Sequence, residues 1–321
     1  MILVTGSTGN TGAQVASELR RRNVPFKVMV RSDKNRAIVE KLGYEAVHGD
    51  FDRPESLDAA LAGKFEKAYL VCTPGAGMAD REIHFIDAAR RAGVSHVVKL
   101  SAFLSTLDAP TANLRDHGRV EKHLIDSGMD FTILRPHGFM QTFVLFTLDF
   151  IRGAGAYMHP AGDGAMPLVD VRDLGVAGAN ALLDPAHKNT AYDITGPESL
   201  TYKEQARILG EAFHRPVTYI PGDEKQFMRV MDLLGVEAQS AEHARVIMRM
   251  CREGKMADMA DGLQRLGVNP TTFKTFAEDL SAGRTGGGNS YEPPSGIVFG
   301  VMKRLMIWSL RARFAVRGRG D

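Results

Sequence analysis

The chain has 321 residues, of which 44% are hydrophobic, and its 40 Lys and Arg residues nearly balance 38 Asp and Glu residues. This size suits one large α/β domain or two unequal lobes, and the balanced charge argues against a nucleic-acid-binding surface. Two cysteines cannot form a disulfide framework, and because Cys and His residues do not cluster we expect no metal site. No apolar run of about 18 residues is present, so we expect no membrane span.

The first pattern along the chain is a short strand, a glycine-rich turn and a helix. Residues 2–4 are apolar, Gly6, Gly9 and Gly12 follow at three-residue spacing, and residues 13–22 have helical periodicity. Glycines allow close approach of phosphates, and a helix start offers free N–H groups. The pattern predicts a dinucleotide pyrophosphate site, although its spacing differs from the commoner G-x-G-x-x-G. Because this strand opens the chain, we expect no signal or transit peptide and a cytoplasmic location.

A second strand, residues 25–30, ends in a basic turn. Dinucleotide sites often carry an acidic residue about 20 residues past the glycine turn, where it binds the ribose 2′-hydroxyl. Here Arg31 stands 19 residues after Gly12, and Lys34 follows it. A cation at this position suits a 2′-phosphate, which predicts NADP(H) in preference to NAD(H). The alternative is a solvated basic turn.

Four further strand-like segments alternate with helices, and this alternation predicts a doubly wound parallel sheet with its ligand crevice at the carboxyl ends of the strands. These segments are residues 44–50, 67–72, 94–100 and 130–135. Asp50 and Phe51 fall where a strand end would meet an adenine, unless they are a strand-end carboxylate and a core phenylalanine. Thr73 follows the fourth strand and is expected over the pyrophosphate or the nicotinamide ribose. Pro136 follows the sixth strand.

An apolar stretch after the sixth strand is a candidate substrate pocket. Residues 139–151 are rich in Phe, Met and Leu, a composition that usually packs a core but that can also line a pocket beside a sheet end. We therefore regard His137, Phe139 and Met140 as candidate substrate residues, with ordinary packing as the alternative for His137.

The remaining sequence predicts a smaller, mostly helical lobe and a tail. Residues 202–280 have helical patterns apart from a short strand at 217–220. We predict a nucleotide-binding domain at 1–155, a substrate lobe at 156–283 partly interleaved with it, and a linker with a basic apolar tail at 284–321. Residues 297–321 carry six basic residues against one aspartate. Such a tail could lie on an anionic membrane, or dock on the body or on a partner subunit.

As a set, these motifs resemble the NmrA-like group of atypical short-chain dehydrogenase/reductases, which includes NAD(P)H:quinone oxidoreductases. The resemblance covers about residues 1–280 and rests on six segments, which are residues 4–12, 30–31, 49–51, 134–136, 169–173 and 193–198. It implies a Rossmann-type fold with a smaller, mostly helical C-terminal substrate lobe. It also implies cofactor contacts, in addition to Gly12 and Lys34, from Gly6, Thr8, Gly9, Asn10, Thr11, Arg31, Asp50, Phe51, Thr73 and Pro136.

The chain departs from the wider superfamily at the proton-transfer residues. None of its seven tyrosines has a lysine four residues later, so the usual Tyr-x-x-x-Lys pair is absent. In the equivalent helix, His117 and Glu121 lie on one face, as in the NmrA-like group. His117 is our candidate proton donor because an unperturbed histidine titrates near neutral pH, and Ser101 is our candidate for orienting the substrate oxygen. The alternative is that His117 and Glu121 only cap and pack the helix.

These observations predict an NADPH-dependent oxidoreductase that transfers hydride to a quinone-like or other conjugated small molecule. Such an acceptor makes weak demands on the protein because its product anion is delocalised. The absent Tyr-x-x-x-Lys pair keeps an alternative open, a regulatory protein of the NmrA type that senses NADP(H) and binds a partner protein without turnover. The expected partners are a small-molecule substrate and, in a homodimer, a second copy of the chain.

Overall fold

The computed structural model describes residues 1–284, apart from the side chains of residues 142–146 and 149. The strands are β1 (Ile2–Val4), β2 (Phe26–Val30), β3 (Ala46–His48), β4 (Lys67–Leu70), β5 (His96–Leu100), β6 (Asp130–Pro136), β7 (Ala156–His159), β8 (Ala165–Met166), β9 (Thr190–Ile194), β10 (Leu200–Thr201) and β11 (Thr218–Pro221). Seven of them form one parallel sheet in the order β3-β2-β1-β4-β5-β6-β9. The predicted doubly wound parallel sheet is confirmed.

Helices connect the strands and cover both faces of this sheet. They are α1 (Asn10–Arg21), α2 (Asp33–Lys41), α3 (Pro54–Leu61), α4 (Met78–Arg91), α5 (Ala112–Asp126), α6 (Met140–Ala154), α7 (Val171–Leu183), α8 (Tyr202–Ala212), α9 (Glu224–Leu233), α10 (Ala238–Arg252), α11 (Gly262–Arg265) and α12 (Phe273–Ser281), with a 3₁₀ turn at Pro185–His187. Within residues 1–284, no helix is long and apolar enough to cross a membrane.

The sheet separates two apolar cores, which explains why its strands are continuous apolar runs. Successive side chains of a strand point to opposite faces. Val4 and Val98 therefore lie in the core beneath α1 and α7, whereas Leu3 and Val97 lie in the core beneath α3 and α4. The strand order reverses between β1 and β4, so a crevice opens at their carboxyl ends, where ligands bind in folds of this type.

The second half of the chain contributes to both lobes. β9 pairs with β6 at the edge of the main sheet, and α7 packs against α1. Beyond this, the described chain is mostly helical, with two small sheets that pair β8 with β10 and β7 with β11. A third core, which includes Tyr157, Tyr202 and Phe276, lies among these elements. The predicted helical C-terminal lobe is confirmed, while its division from the first domain at residue 155 stays a prediction.

One predicted helix starts earlier than its sequence pattern suggests. Apolar periodicity places the start of α5 at Asp116, but the helix begins at Ala112. The reason is that the Thr111 side chain accepts a hydrogen bond from the Leu114 N–H at 3.3 Å and so caps the helix one turn earlier. His117 therefore lies in the second turn of α5. The predicted tail, apart from Arg284, falls outside the described residues.

Candidate active site

The start of α1 faces the crevice as an open anion-binding surface. Gly9 is its N-cap residue, no side chain caps the helix, and its first turn contains no acidic residue. The first N–H groups of a helix lack partners within the helix, and the helix dipole adds positive potential there. This arrangement suits a phosphate.

Two of the glycines in this turn leave no room for a side chain. A Cβ atom on Gly12 would lie 2.4 Å from the Gly6 carbonyl oxygen and 2.5 Å from the Thr5 carbonyl oxygen. Gly6 has a φ of +62°, and its Cβ would lie 2.5 Å from Cγ1 of Val71. The helix start and the turn therefore pack backbone against backbone.

Two buried polar atoms beside the turn are available to hydrogen-bond a dinucleotide. Ser7 Oγ and Asn10 Oδ1 are buried and have no hydrogen-bond partner within residues 1–284. Buried polar atoms are nearly always hydrogen-bonded, so an unpartnered pair next to an open helix start fits a bound dinucleotide. Thr8 is half-buried and Thr11 buried in the same segment. The family resemblance implies a cofactor contact from Asn10 but none from Ser7.

The predicted adenosine residues follow β2 and β3. Arg31 is exposed and pairs with no acidic side chain in the described chain, and Lys34 lies in the first turn of α2. The Asp50 carboxylate accepts a hydrogen bond from the Asp52 N–H at 3.1 Å. Phe51 packs its ring against Phe85, with ring centroids 5.7 Å apart. All four predicted residues thus lie at one end of the crevice, although Phe51 also belongs to the core edge.

The other predicted residues line the crevice past β4, β5 and β6. The Thr73 carbonyl accepts a hydrogen bond from Arg81 at 3.4 Å, and the buried Pro136 has a carbonyl that accepts from the Phe103 N–H at 2.9 Å. Both segments are therefore held by backbone contacts. These strands lie on the other side of β1 from β3, and the cofactor contacts of Thr73 and Pro136 stay predictions.

Ser101 is part of a buried hydrogen-bonded chain. Its hydroxyl donates to the Glu121 carboxylate, which also accepts from Arg135 Nε at 3.0 Å and Nη2 at 2.5 Å. Since the Ser101 proton is already donated, this hydroxyl can only accept a hydrogen bond from a ligand. The role of Ser101 in orienting the substrate oxygen stays a prediction, and in this geometry it would require a donor group on the ligand.

A second buried polar group, which was not predicted from the sequence, lies on β5, α4 and α5. The Lys99 side chain is 0% exposed and Glu82 only 1%, and Lys99 Nζ lies 2.8 Å from Glu82 Oε2. Lys99 Nζ also lies 3.1 Å from His117 Nδ1. The sequence does contain a signal for this pair, which is a lysine within the buried strand β5 (His96–Leu100). A charged residue in a buried strand requires a partner.

The environment of His117 differs from the one that its predicted role assumes. Burial, the Lys99 charge and the nearby His243 hold the pKa of His117 well below its usual range. The imidazole is therefore neutral near neutral pH, and it cannot act as an imidazolium acid there. Its assignment as a site residue stays a prediction, with a neutral N–H donor as the species that it can offer.

The three predicted substrate residues enter the protein interior to different depths. His137 is buried against Phe103, with ring centroids 4.8 Å apart, and burial lowers the pKa of His137 to about 4. Phe139 is half-buried beside the first core, and Met140 is 1% exposed within the third core. Met140 shares this core with Met166 and Leu168, which favours a packing role.

Helix α10 packs against α5 through polar contacts. Gln239 Nε2 donates to Asn113 Oδ1 at 2.7 Å and to Asp116 Oδ2 at 3.0 Å on α5. His243 Nδ1 lies 2.8 Å from Thr111 Oγ1. The loop after β4 is also close, because a Cβ on Gly75 would lie 3.1 Å from the α10 N-cap, Glu237. No group of three or more His, Cys, Asp or Glu side chains in the described part of the chain could hold a metal ion.

The fold and the site together define an NAD(P)H-binding protein of the Rossmann type. A model of the NAD(P)H-binding family matches residues 6–143. An NAD(P)H azoreductase from Xenophilus azovorans is 31% identical over 282 residues, which span 88% of this chain and 97% of that protein. The chain belongs to the NmrA-like group of atypical short-chain dehydrogenase/reductases.

Two further relatives support this assignment. Quinone oxidoreductase 2 of Escherichia coli is 28% identical over 288 residues, covering 88% of this chain and 98% of that protein. The crystal structure of the Citrobacter sp. triphenylmethane reductase complexed with NADP(H) has a TM-score of 0.77 to this chain at 27% identity. That likeness covers 87% of this chain and 99% of the reductase. The resemblance expected from the sequence is thereby confirmed.

Proposed function

We propose that the chain is an NADPH-dependent oxidoreductase that reduces quinone-like or other conjugated small molecules. The observation that carries the proposal is the open start of α1 beside Arg31, an exposed cation without an acidic partner. The three relatives support the acceptor class, because azo compounds, quinones and triphenylmethane dyes are all conjugated. A regulator that binds NADP(H) without turnover is not favoured by these comparisons.

The residues present fit the cofactor, which supplies hydride when it is bound. The α1 N–H groups, with Ser7 and Asn10 beside them, would hold the pyrophosphate, and Arg31 would hold the 2′-phosphate. Thr73, Ser101 and Pro136, which follow or end β4, β5 and β6, would lie toward the nicotinamide. The protein's own task is therefore to bind, orient and shield, and to place hydrogen-bond donors where the acceptor gains charge.

NADPH oxidation measured with quinones, azo dyes and triphenylmethane dyes tests this function. We expect turnover with at least one acceptor class and a higher kcat/KM with NADPH than with NADH. Tight NADPH binding without consumption of any acceptor would contradict the proposal and favour the regulatory alternative. A homodimer, a cytoplasmic location and membrane contact by the tail remain predictions.

A further inference from the structure

Lys99 is a buried cation that has two hydrogen-bond acceptors and one carboxylate as its ion-pair partner. Its ammonium contacts the Glu82 carboxylate on α4, the Leu100 carbonyl on β5 and the His117 ring on α5. Lys and Glu are almost never fully buried unless they are paired, and breaking such a pair leaves a costly lone charge. The pair therefore holds the ammonium in place under the crevice.

This contact decides which nitrogen of His117 carries the proton. An ammonium has three donors and no acceptor, so His117 Nδ1, which lies 3.1 Å from Lys99 Nζ, must be the accepting, unprotonated nitrogen. The single proton of the neutral ring is then on Nε2. A second proton, on Nδ1, would point at the Lys99 charge, so the contact also opposes protonation.

The Nε2 edge of the ring remains available to a ligand. Nε2 makes no hydrogen bond within residues 1–284, and the His117 side chain is only half-buried. The titratable groups that act on its pKa are Lys99 from β5 and His243 on α10; Glu82 on α4 lies behind Lys99, and Glu121 lies one turn along α5. Burial, together with Lys99 and His243, keeps the pKa of His117 low, in agreement with a neutral donor.

We propose that Lys99, held by Glu82, is a positioning residue that fixes His117 as the Nε2–H tautomer and thereby directs a neutral hydrogen-bond donor at the acceptor. This inference rests on the proposed reductase function. As the conjugated acceptor gains hydride and its electron pair, negative charge moves to an acceptor oxygen or nitrogen. The Nε2–H group donates a hydrogen bond to that atom and keeps its proton, while water supplies the proton that completes the product.

A double variant, K99M with E82Q, tests the proposal because it removes both buried charges together. A lone K99M substitution would leave Glu82 unpaired and could unfold the protein. The first readout is the ¹⁵N NMR spectrum of His117 in the full-length protein. We expect protonated Nε2 and unprotonated Nδ1 in the wild type, and a mixture of tautomers with a raised His117 pKa in the double variant. The opposite tautomer in the wild type would overturn the proposal.

The second readout is a mutant cycle with H117A, measured as NADPH oxidation with a quinone. Loss of one oriented donor typically lowers kcat by about 100-fold or more, whereas a mixture of tautomers lowers kcat only in proportion to the lost Nε2–H fraction, by roughly two- to tenfold. We expect the double variant to lower kcat in the wild-type background but not in the H117A background, and to leave the Kd for NADPH unchanged. Equal losses in both backgrounds would show that Lys99 does not act through His117.

The two proposals fail in distinguishable ways. If none of the tested acceptors supports NADPH oxidation by the wild type, the proposed function is wrong. The NMR spectrum of His117 still tests the contact between Lys99 and His117 in that case. If the wild type turns over and H117A matches its kcat, the function stands and the positioning role is wrong. The variant R90A is a suitable control, because it removes an exposed cation in the last turn of α4, away from Glu82.

Discussion

Arg31 is an exposed cation at the carboxyl end of β2, and it has no acidic partner in residues 1–284. We expect R31A to weaken NADPH binding far more than NADH binding, because only NADPH carries the 2′-phosphate. A charge-assisted hydrogen bond is worth about 1.5–3 kcal/mol, which corresponds to a roughly 10- to 100-fold rise in the Kd for NADPH. Fluorescence titration with both cofactors measures this difference.

A suitable control for R31A removes an exposed arginine at the opposite end of the sheet. Arg90 lies in the last turn of α4, far from the carboxyl ends of the strands. R90A changes the net charge by the same amount and should leave both dissociation constants unchanged. If R31A weakens both cofactors equally, Arg31 does not read the phosphate.

At the scale of single residues, the sequence predicts site residues that lie within one local motif. It does not predict side-chain pairs between elements that are distant in the sequence. The glycine turn and Arg31 depend on neighbours within one strand-turn-helix unit, so spacing alone places them. Glu82 and Lys99 lie on different elements, and only the packing of α4 on β5 brings their charges together. The half-buried position of His117 is also tertiary, because it depends on how α5 and α10 dock.

At the scale of elements, α10 is the helix whose docking we expect to control the acceptor site. Gln239 donates to both Asn113 and Asp116 across the seam between α10 and α5. Removal of these hydrogen bonds by Q239A should loosen α10 and raise the KM for the acceptor by about two- to tenfold. NADPH affinity should be unchanged, because the α1 turn lies on another part of the sheet. Steady-state kinetics and hydrogen exchange over residues 238–252 measure the two effects.

The matched control for Q239A is Q264A, which shortens an exposed glutamine on the short helix α11. That variant should change neither the KM for the acceptor nor the hydrogen exchange of α10. An unchanged KM in Q239A, together with faster exchange of α10, would show that this helix does not border the acceptor site.

Element boundaries follow local patterns better than pairings do. Apolar runs predict the first six strands because most of them are buried on both faces, the edge strand β3 being the exception. The start of α5 is missed because a threonine cap, not apolar periodicity, decides it. The pairing of β7 with β11 joins residues about 60 positions apart, and nothing in either short segment identifies the other as its partner. The pairing of strands that are distant in the sequence therefore cannot be predicted from local sequence patterns.

At the scale of the whole molecule, buried neutral histidines should make the fold sensitive to acid. Burial lowers the pKa values of four histidines to about 4, and these are His96, His137, His159 and His243. The unfolded chain, with histidine pKa values near 6.5, binds more protons below that pH. The free energy of unfolding should therefore fall as the pH drops from about 6.5 toward 4. Urea denaturation across this range measures it.

Asp173 is a carboxyl group that acts in the opposite direction, as does Glu82, whose pKa burial also raises. Burial raises the pKa of Asp173 to about 6, although the Thr271 N–H and hydroxyl donate to it at 2.7 and 2.8 Å. Its folded-state pKa lies above the unfolded value, so its contribution stabilises the protein at low pH and is lost as the pH rises through about 6. The four histidines outnumber these carboxyl groups, and the net dependence should follow the histidines.

The variant H96Q isolates one histidine from this sum. His96 Nε2 lies 2.9 Å from Thr132 Oγ1, and a glutamine amide can replace that donor without titrating. H96Q should reduce the slope of unfolding free energy against pH by up to about 1.4 kcal/mol per pH unit. H84Q, at an exposed position on α4, is the control and should leave the slope intact. An unchanged slope in H96Q would mean that His96 is not the acid-sensitive group.

The glycine turn also determines how the cofactor site can be dissected. The contacts proposed for this turn come from backbone N–H groups, so an alanine scan that deletes side chains would leave them in place and underestimate the site. The same site is vulnerable to a gain of atoms, because one methyl group at Gly12 would meet two carbonyl oxygens within 2.5 Å. Substitutions at Gly12 are expected to be rare because any side chain would clash with these carbonyl oxygens. Substitutions at Arg31 meet no such clash and can instead change the choice between NADPH and NADH.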